Sequence, residues 1–290
     1  MNKRYVLAIP FLLFYLVAVA FADDLPWNMK LPFKHAIIQY NLSGSHQGSE
    51  TLYIKDYGTF RAKHHRSTAT IMGMTNKTET LEITDPDWIY TYNLIDKTGS
   101  KITNPYKLYK IEYSKCNSEE KRNFEKNSKE LGASMLGKFG GSVKPSSAQI
   151  LGYDCDVTTV NGMSTTYILH GTDIPLRSEI TVMGMKNSTD ATQVDTGSAI
   201  PDNAFTPAAG IPAEKDEEME AMMTQTITQV IDTLKQPDGA QKMQNSTPAM
   251  GPGRMQQSME ADGMSPEEQQ EMMRQMEEAM KQMQKRRPQQ

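Results

Sequence analysis

The chain has 290 residues, of which 38% are hydrophobic and 23% are charged, and its formal net charge is −4. Asp and Glu outnumber Lys and Arg, so the chain has no surplus of positive charge for a phosphate backbone, which argues against nucleic-acid binding. The length permits one large hydrophobic core with appended segments.

The first 22 residues have the pattern of a secretory signal. Lys3 and Arg4 precede the apolar run VLAIPFLLFYLVAVA, and small residues at Ala20 and Ala22 suit a cleavage site. The run is short for a bilayer span, which takes about 20 residues. We therefore predict export to the periplasm, cleavage after Ala22 and no membrane span in the cleaved chain. An uncleaved anchor is the alternative.

Residues 33 to 205 mostly follow the two-residue hydrophobic period of β-strands, as in HAIIQYNL from His35 onward. Short turn sequences such as Asn161-Gly162 separate successive strands and are typical of hairpins. Strands that each follow their neighbour predict an antiparallel meander.

An aromatic stripe lies in the predicted strand WIYTYNL, where Trp88, Tyr90 and Tyr92 share one face. Such a stripe either forms part of a core or lines a pocket for an apolar ligand. Both interpretations are open, and we take the three side chains as candidates for lining a ligand groove.

One helix is predicted inside the meander, from about residue 117 to 139. Asn117 suits the N-cap, and Glu120 lies three residues further on, as in a capping box. The glycine pair at residues 140 and 141 then ends the helix.

The two cysteines, Cys116 and Cys155, flank this helix in the sequence. An exported chain meets an oxidising compartment, so we predict a disulfide between them. A reactive or metal-binding thiol pair is the alternative.

The sequence changes character after Phe205. We predict a signal peptide at 1–22, a β-rich domain at 23–211, an amphipathic helix at 212–236, a flexible linker at 237–264 and a Met-rich helical tail at 265–290. Ser265, Pro266 and Glu268 have the pattern of a capped helix start.

Methionine is concentrated in the C-terminal part, where 13 of the 21 methionines follow residue 218. One helical stripe in the tail consists of Met272, Met276, Met280 and Met283. Three interpretations compete: an apolar face that packs on the chain's own body, an adaptable surface for a lid or a partner, and soft sulfur ligands for Cu(I).

A short sequence occurs twice, as TIMGMTNKT at 70–78 and TVMGMKNST at 181–189. We interpret both copies as the tips of two equivalent hairpins. If both tips point to one mouth, the four methionines rim a ligand groove; they are Met72, Met74, Met183 and Met185.

The usual catalytic motifs are missing from the sequence: it has no G-x-S-x-G, H-E-x-x-H, phosphate-binding glycine loop or C-x-x-C. His64 and His65 are adjacent, and on a strand they point to opposite faces, so they cannot share a metal. We predict that the chain is not an enzyme and has no cofactor and no metal site of its own.

Several stretches together resemble a family of exported bacterial proteins of unknown function, which is similar to the periplasmic lipoprotein carriers and their outer-membrane acceptors, the Lol-type half-barrels. These stretches are HAIIQYNLSGSHQGSETLYIKDYGTFRAK, DWIYTYNLIDKTGSKI, ILGYDCDV, IPLRSEITVMG and IPDNAFTPAAGI. The resemblance covers residues 33–211. It implies an α+β fold in which a curved antiparallel sheet wraps over helices and encloses an apolar concavity.

These observations predict a soluble periplasmic, non-catalytic binding protein that holds a lipid, an acyl chain or a hydrophobic peptide in an apolar groove. Its partners would be that hydrophobic ligand or an envelope protein. The alternatives are a Met-rich copper-handling protein and a structural or interaction protein of the envelope.

Overall fold

The computed structural model describes residues 29–71, 74–138, 140–160, 163–182 and 185–246. The predicted signal peptide and the predicted Met-rich tail lie outside these ranges. The chain divides into two units, residues 1–244 and 245–290, and the elements below belong to the first, apart from the last two residues of the final helix.

The described residues form one sheet of twelve strands. The strands are β1 (His35–Ser43), β2 (His46–Lys55), β3 (Phe60–Ile71), β4 (Met74–Thr84), β5 (Trp88–Asn93), β6 (Thr98–Thr103), β7 (Ser142–Ile150), β8 (Tyr153–Val160), β9 (Ser164–Leu169), β10 (Pro175–Val182), β11 (Met185–Asp195) and β12 (Ala213–Lys215). The helices are α1 (Pro105–Ser114), α2 (Ser118–Lys138), α3 (Glu217–Leu234) and α4 (Gly239–Ser246).

The strand order is β12-β6-β5-β4-β3-β2-β1-β11-β10-β9-β8-β7. Every pair is antiparallel except β12 with β6, which is parallel. The sheet is open and curved like a half-barrel, so the predicted α+β fold class is confirmed. β1 lies at the centre, where it joins the meander β2–β6 to the strands β7–β11.

The sheet packs apolar side chains on both of its faces. On the first face, Ala36, Ile38 and Tyr40 of β1 are buried with Ile54 of β2 and Leu176 of β10. These side chains occupy every second position of β1, as the sequence period predicts.

On the second face, the core consists of Ala62, Leu81, Ile83 and Tyr92, with residues from the chain segment after β11 packed against it. Neighbouring strands of the sheet therefore bury apolar side chains on both faces.

The helices form their own apolar cluster beside β6. Phe124 and Leu131 of α2 pack with Met223 and Ile227 of α3 and with Tyr109 of α1. The α3 positions are four residues apart and the α2 positions seven, which is the spacing of a single helix face.

The predicted capping box at the start of α2 is present. Asn117 Oδ1 accepts hydrogen bonds from the backbone N–H groups of Glu119 and Glu120, and Glu120 Oε2 accepts from the N–H of Asn117 at 2.8 Å. Two helices occupy this insertion rather than one, since Asn104 and Pro105 start α1 ahead of it. Asn104 Oδ1 accepts from the Tyr106 N–H at 2.9 Å.

The C-terminal helix begins later than its sequence suggests. Residues 213–215 pair with β6 as β12, and α3 starts after Asp216, whose Oδ1 accepts from the Met219 N–H at 3.0 Å. Residues 239–246 form α4, although the sequence predicts a linker there. The remaining domain boundaries stay predictions.

The predicted disulfide is wrong. Cys116 and Cys155 are both buried free thiols. Cys116 belongs to the helical cluster and Cys155 to the core on the first face, so the fold places the two sulfur atoms in separate cores.

β7 forms one edge of the sheet and is irregular. Its register shifts between Lys144 and Ala148, Ser146 has a positive φ of 44°, and Pro145 has no backbone N–H. The Ser146 N–H donates to Asp156 Oδ1 at 2.8 Å. The edge therefore lacks the regular row of free donors that an ordinary edge strand has.

We expect the thiols to be unreactive in the native protein, because burial raises the pKa of Cys116 and Cys155 and keeps both protonated near neutral pH. Titration with Ellman's reagent, without reductant, should give two thiols per chain after denaturation and a much slower reaction before it. A disulfide would instead give no thiols in the denatured protein.

Asn127 is 1% exposed and donates from Nδ2 to the carbonyls of Leu234 at 2.8 Å and Gln236 at 2.6 Å, where α3 ends. Asn127→Ala removes both donors, so the free energy of unfolding should fall by about 1–3 kcal/mol in urea titrations. The matched change at the exposed Asn203 should alter it by less than about 0.5 kcal/mol. Equal effects at both positions would contradict this role.

Candidate ligand-binding cleft

A segment after β11, which we call the strap (residues 199–213), packs on the second face of the sheet. Phe205, Ala208 and Ile211 of the strap contact the core of that face, and Ala204 is 4% exposed. The Phe205 ring meets the Phe60 ring edge to face, with 6.4 Å between centroids.

Two adjoining cavities lie beneath and beside the strap. The first, of about 250 Å³, is lined by Lys55, Phe60, Ile83, Asp85, Tyr90, Phe205 and Pro207. The second, of about 350 Å³, is lined by Lys34, His35, Lys55, Asp56, Ala199, Ile200, Pro201, Asp202 and Phe205. Lys55 and Phe205 line both cavities, and we call the two cavities together the cleft.

Charged groups lie at the rim of this cleft. Lys55 Nζ is 5.6 Å from the centre of the Phe60 ring, a distance at which a cation is attracted to the ring face. Asp85 Oδ1 accepts from the N–H groups of Asp87 and Trp88, both at 2.7 Å, which fixes this carboxylate in the β4–β5 turn. The cleft thus combines aromatic and aliphatic side chains with charged groups, which are most numerous in the second cavity.

The predicted aromatic stripe divides between two roles. Tyr90 lines the first cavity. Burial raises the pKa of its hydroxyl, and the negative charge of Asp85 raises that pKa further. Tyr92 is 1% exposed and belongs to the core. Trp88 is half-buried, and Lys101 Nζ lies 4.8 Å from its ring centre. The three side chains share one face of β5, and the path of the strap decides which of them meets open space.

The repeated Met-Gly-Met sequences lie where two hairpins turn. Ile71 pairs with Met74 and Val182 pairs with Met185, so the turns of β3–β4 and β10–β11 fall between these pairs. Met72 and Met183 lie outside the described residues, and the side chains of Met74 and Met185 are not described. Both turns occur at the same end of the sheet, on either side of the β1–β2 turn.

The cleft lies at the other end of the sheet. Lys55 ends β2, and β2 runs ten residues from the β1–β2 turn, about 30 Å at 3.3 Å per residue. The Met-Gly-Met sequences and the cleft therefore lie at opposite ends of the sheet. That the four methionines rim a ligand groove stays a prediction. The tail stripe, Met272 to Met283, also lies outside the described residues.

A polar chain that the sequence analysis missed lies on the first face. His65 Nδ1 is 3.1 Å from Glu50 Oε2, and His65 Nε2 is 3.0 Å from Ser67 Oγ. His64 points to the second face and packs on the edge of Tyr53. The two histidines are thus on opposite faces, as predicted. In the sequence, the spacing His65-x-Ser67 and the glutamate on the preceding strand were the features that could have indicated this polar chain.

No group of three or more His, Cys, Asp and Glu side chains among the described residues is placed to hold a metal ion. Within the same ranges, no helix combines the length and the apolar composition that a bilayer crossing requires.

No protein-family model and no curated protein matches the sequence. Solved structures do resemble the fold. An uncharacterized conserved protein from Thermus thermophilus is 8% identical with a TM-score of 0.33, over 71% of this chain and 98% of that one. The lipoprotein LppX of Mycobacterium tuberculosis is 10% identical with a TM-score of 0.26, over 59% and 91%.

A putative outer membrane lipoprotein-sorting protein domain from Vibrio parahaemolyticus is 11% identical with a TM-score of 0.21, over 68% of this chain and 95% of that domain. This chain spans only 33% of the length of another similar structure, PNGF-II. Because these similarities are distant, we base the function on the residues of the cleft.

We expect Gly99→Ala to disturb the strap, since a Cβ there would lie 2.6 Å from the Pro212 carbonyl oxygen and 2.9 Å from Tyr92 Cδ1. The free energy of unfolding should fall by about 1–3 kcal/mol. Gly137→Ala in α2 is the control, because a Cβ there meets no atom within 4 Å. That change should stabilise the protein by about 0.5–1 kcal/mol in the same thermal and urea measurements.

Proposed function

We propose that this chain is an exported, non-catalytic binding protein that holds a lipid, an acyl chain or a hydrophobic peptide in the cleft beneath the strap. The observation that carries the proposal is that Phe205 of the strap lines both cavities. An elongated apolar ligand in contact with this ring would lie on the second face of the sheet.

The lining suits binding by burial rather than by chemical reaction. Phe60, Tyr90 and Phe205 offer ring faces and edges, and Ile83 and Pro207 complete the first cavity. Burial of apolar surface contributes about 25 cal/mol per Å² and requires no specific donor, so it accommodates ligands of different detailed shape.

The rim suits a ligand with one polar end. Lys34 and Lys55 are exposed cations, and Asp56 and Asp202 are the carboxylates of the second cavity. A polar head can remain at this rim in contact with water while the apolar part lies under the strap. This arrangement supports an amphipathic ligand rather than a pure hydrocarbon.

The signal-like N-terminus supports a periplasmic location for this binding function. We further propose that the tail stripe of Met272, Met276, Met280 and Met283 acts as a lid or as a surface for an envelope partner, because flexible thioethers fit irregular apolar surfaces.

Phe205→Ala should weaken ligand binding about 10- to 100-fold, because it removes a ring worth about 1.5–3 kcal/mol of buried contact from both cavities. The measurement is displacement of a fluorescent fatty-acid probe by lipids extracted from the native protein and identified by mass spectrometry. Phe33→Ala is the matched control, since Phe33 packs on the first-face core and does not line the cleft.

Native protein that carries no lipid and binds no probe would refute the proposed function. Equal loss of affinity in the Phe205→Ala and Phe33→Ala variants would contradict binding in the cleft. Such a result would mean that both substitutions act through the stability of the fold.

A further inference from the structure

The geometry points to Ser67 as an acyl-acceptor nucleophile that His65 and Glu50 activate on the first face of the sheet. The substrate class is an activated acyl donor, an ester or a thioester. This inference is independent of the cleft, which lies on the second face.

The hydrogen-bond distances place the His65 ring between a carboxylate and a hydroxyl. In the neutral tautomer that carries its proton at Nδ1, the imidazole donates to Glu50 Oε2 at 3.1 Å. Nε2 then carries the lone pair and accepts from the Ser67 hydroxyl at 3.0 Å. Carboxylate, imidazole and hydroxyl in this order are the arrangement in which a histidine acts as general base for a serine.

The sheet holds the three side chains in register. Glu50 is directly opposite His65 in the β2–β3 ladder, and Ser67 is two residues further on the same face of β3. Gly48 faces Ser67, and a Cβ at Gly48 would lie 2.0 Å from the Arg66 carbonyl oxygen, so β2 approaches β3 closely at this point. Groups carried by paired strands keep their geometry better than groups on loops.

Neighbouring residues partly shield the Glu50–His65–Ser67 hydrogen bonds from water, and some of the three side chains' surface stays exposed. Ser67 is 8% exposed, and the side chains of Glu50 and His65 are 19% and 26% exposed. Partial removal from water strengthens each hydrogen bond. The imidazole, as the most exposed of the three groups, marks the side from which a small acyl donor approaches Ser67 Oγ.

The reaction is a single acyl transfer. Ser67 Oγ attacks the acyl carbonyl carbon while its proton passes to His65 Nε2, and Glu50 stabilises the imidazolium. The bond between the carbonyl carbon and the leaving oxygen or sulfur then breaks, and the leaving group takes the proton from Nε2. The products are O-acyl-Ser67 and the free alcohol or thiol.

The sheet also limits the reaction to stoichiometric acylation. The residues of β3 around Ser67 pair with β2 on one side and with β4 on the other, so the described residues present no pair of free backbone N–H groups for an oxyanion. The rate gain is then that of general-base catalysis alone, about 10²–10⁴-fold. Hydrolysis of the acyl-serine lacks the same donors, so the acylated form accumulates.

The experiment is covalent labelling of the full chain with an alkyl fluorophosphonate and, separately, with p-nitrophenyl acetate, followed by intact-mass and peptide mass spectrometry. One label per chain is expected, on the peptide that contains Ser67. Ser67→Ala should abolish it. His65→Gln should slow labelling at least ~100-fold and Glu50→Gln at least ~10-fold, with recovery in Glu50→Asp.

His64→Gln is the matched control, because His64 is the neighbouring histidine on the opposite face, and its labelling rate should stay within about twofold of the native protein. Folded native protein without label at Ser67 overturns the inference, whatever the variants do. So does labelling that is equally fast in the native, His65→Gln and Glu50→Gln proteins with matched melting temperatures. Ser67→Ala should leave lipid binding in the cleft unchanged, which separates this result from that of the proposed function.

Discussion

The ladder between β1 and β11 is the constraint on which the rest of the structure depends. It pairs residues 37–43 with residues 188–195, more than 140 positions away, and so makes one sheet from two sets of strands. Side chains reinforce the junction: Tyr40 donates its hydroxyl to the Pro175 carbonyl at 3.0 Å, and Asn187 Oδ1 accepts from the backbone N–H and the hydroxyl of Ser45 in the β1–β2 turn. Burial raises the pKa of Tyr40, so this hydroxyl stays a donor at any physiological pH. Without this ladder, the core of the first face would be split between two open sheets.

A sheet that buries side chains on both faces can carry different chemistry on its two sides. On the second face, the strap leaves aromatic rings beside open space. On the first face, β3 carries a row of basic side chains at every second position, and each meets a carboxylate from another strand or loop: Arg61 with Asp173, Lys63 with Glu82 and His65 with Glu50. The period of two thus places this row on one face of β3 and Phe60 and Ala62, which belong to the strap side, on the other.

Local sequence patterns predicted much of the secondary structure, including the alternation in β1, the capping box at Asn117 and the apolar face of α3. They failed where the outcome depends on contacts between distant segments. The disulfide prediction relied on compartment and cysteine count, whereas packing placed Cys116 and Cys155 in different cores. The aromatic stripe could be seen in the sequence. Which of its side chains lines a cavity, as Tyr90 does, and which is buried in the core, as Tyr92 is, depends on the path of the strap. The Glu50–His65–Ser67 chain depends on the β2–β3 register, and a shift of one residue would have sent His65 to the other face.

The irregular edge strand β7 affects how readily the sheets of neighbouring molecules can pair with one another. An open twelve-stranded sheet ends in strands whose backbone groups could extend it into a neighbouring molecule, and the short β12 protects the opposite edge by its length. At β7, the proline, the positive φ of Ser146 and the shifted register interrupt the regular spacing that a foreign strand would need. These two edges therefore disfavour the pairing of sheets between copies of this protein in a crowded solution, while the half-barrel itself stays open.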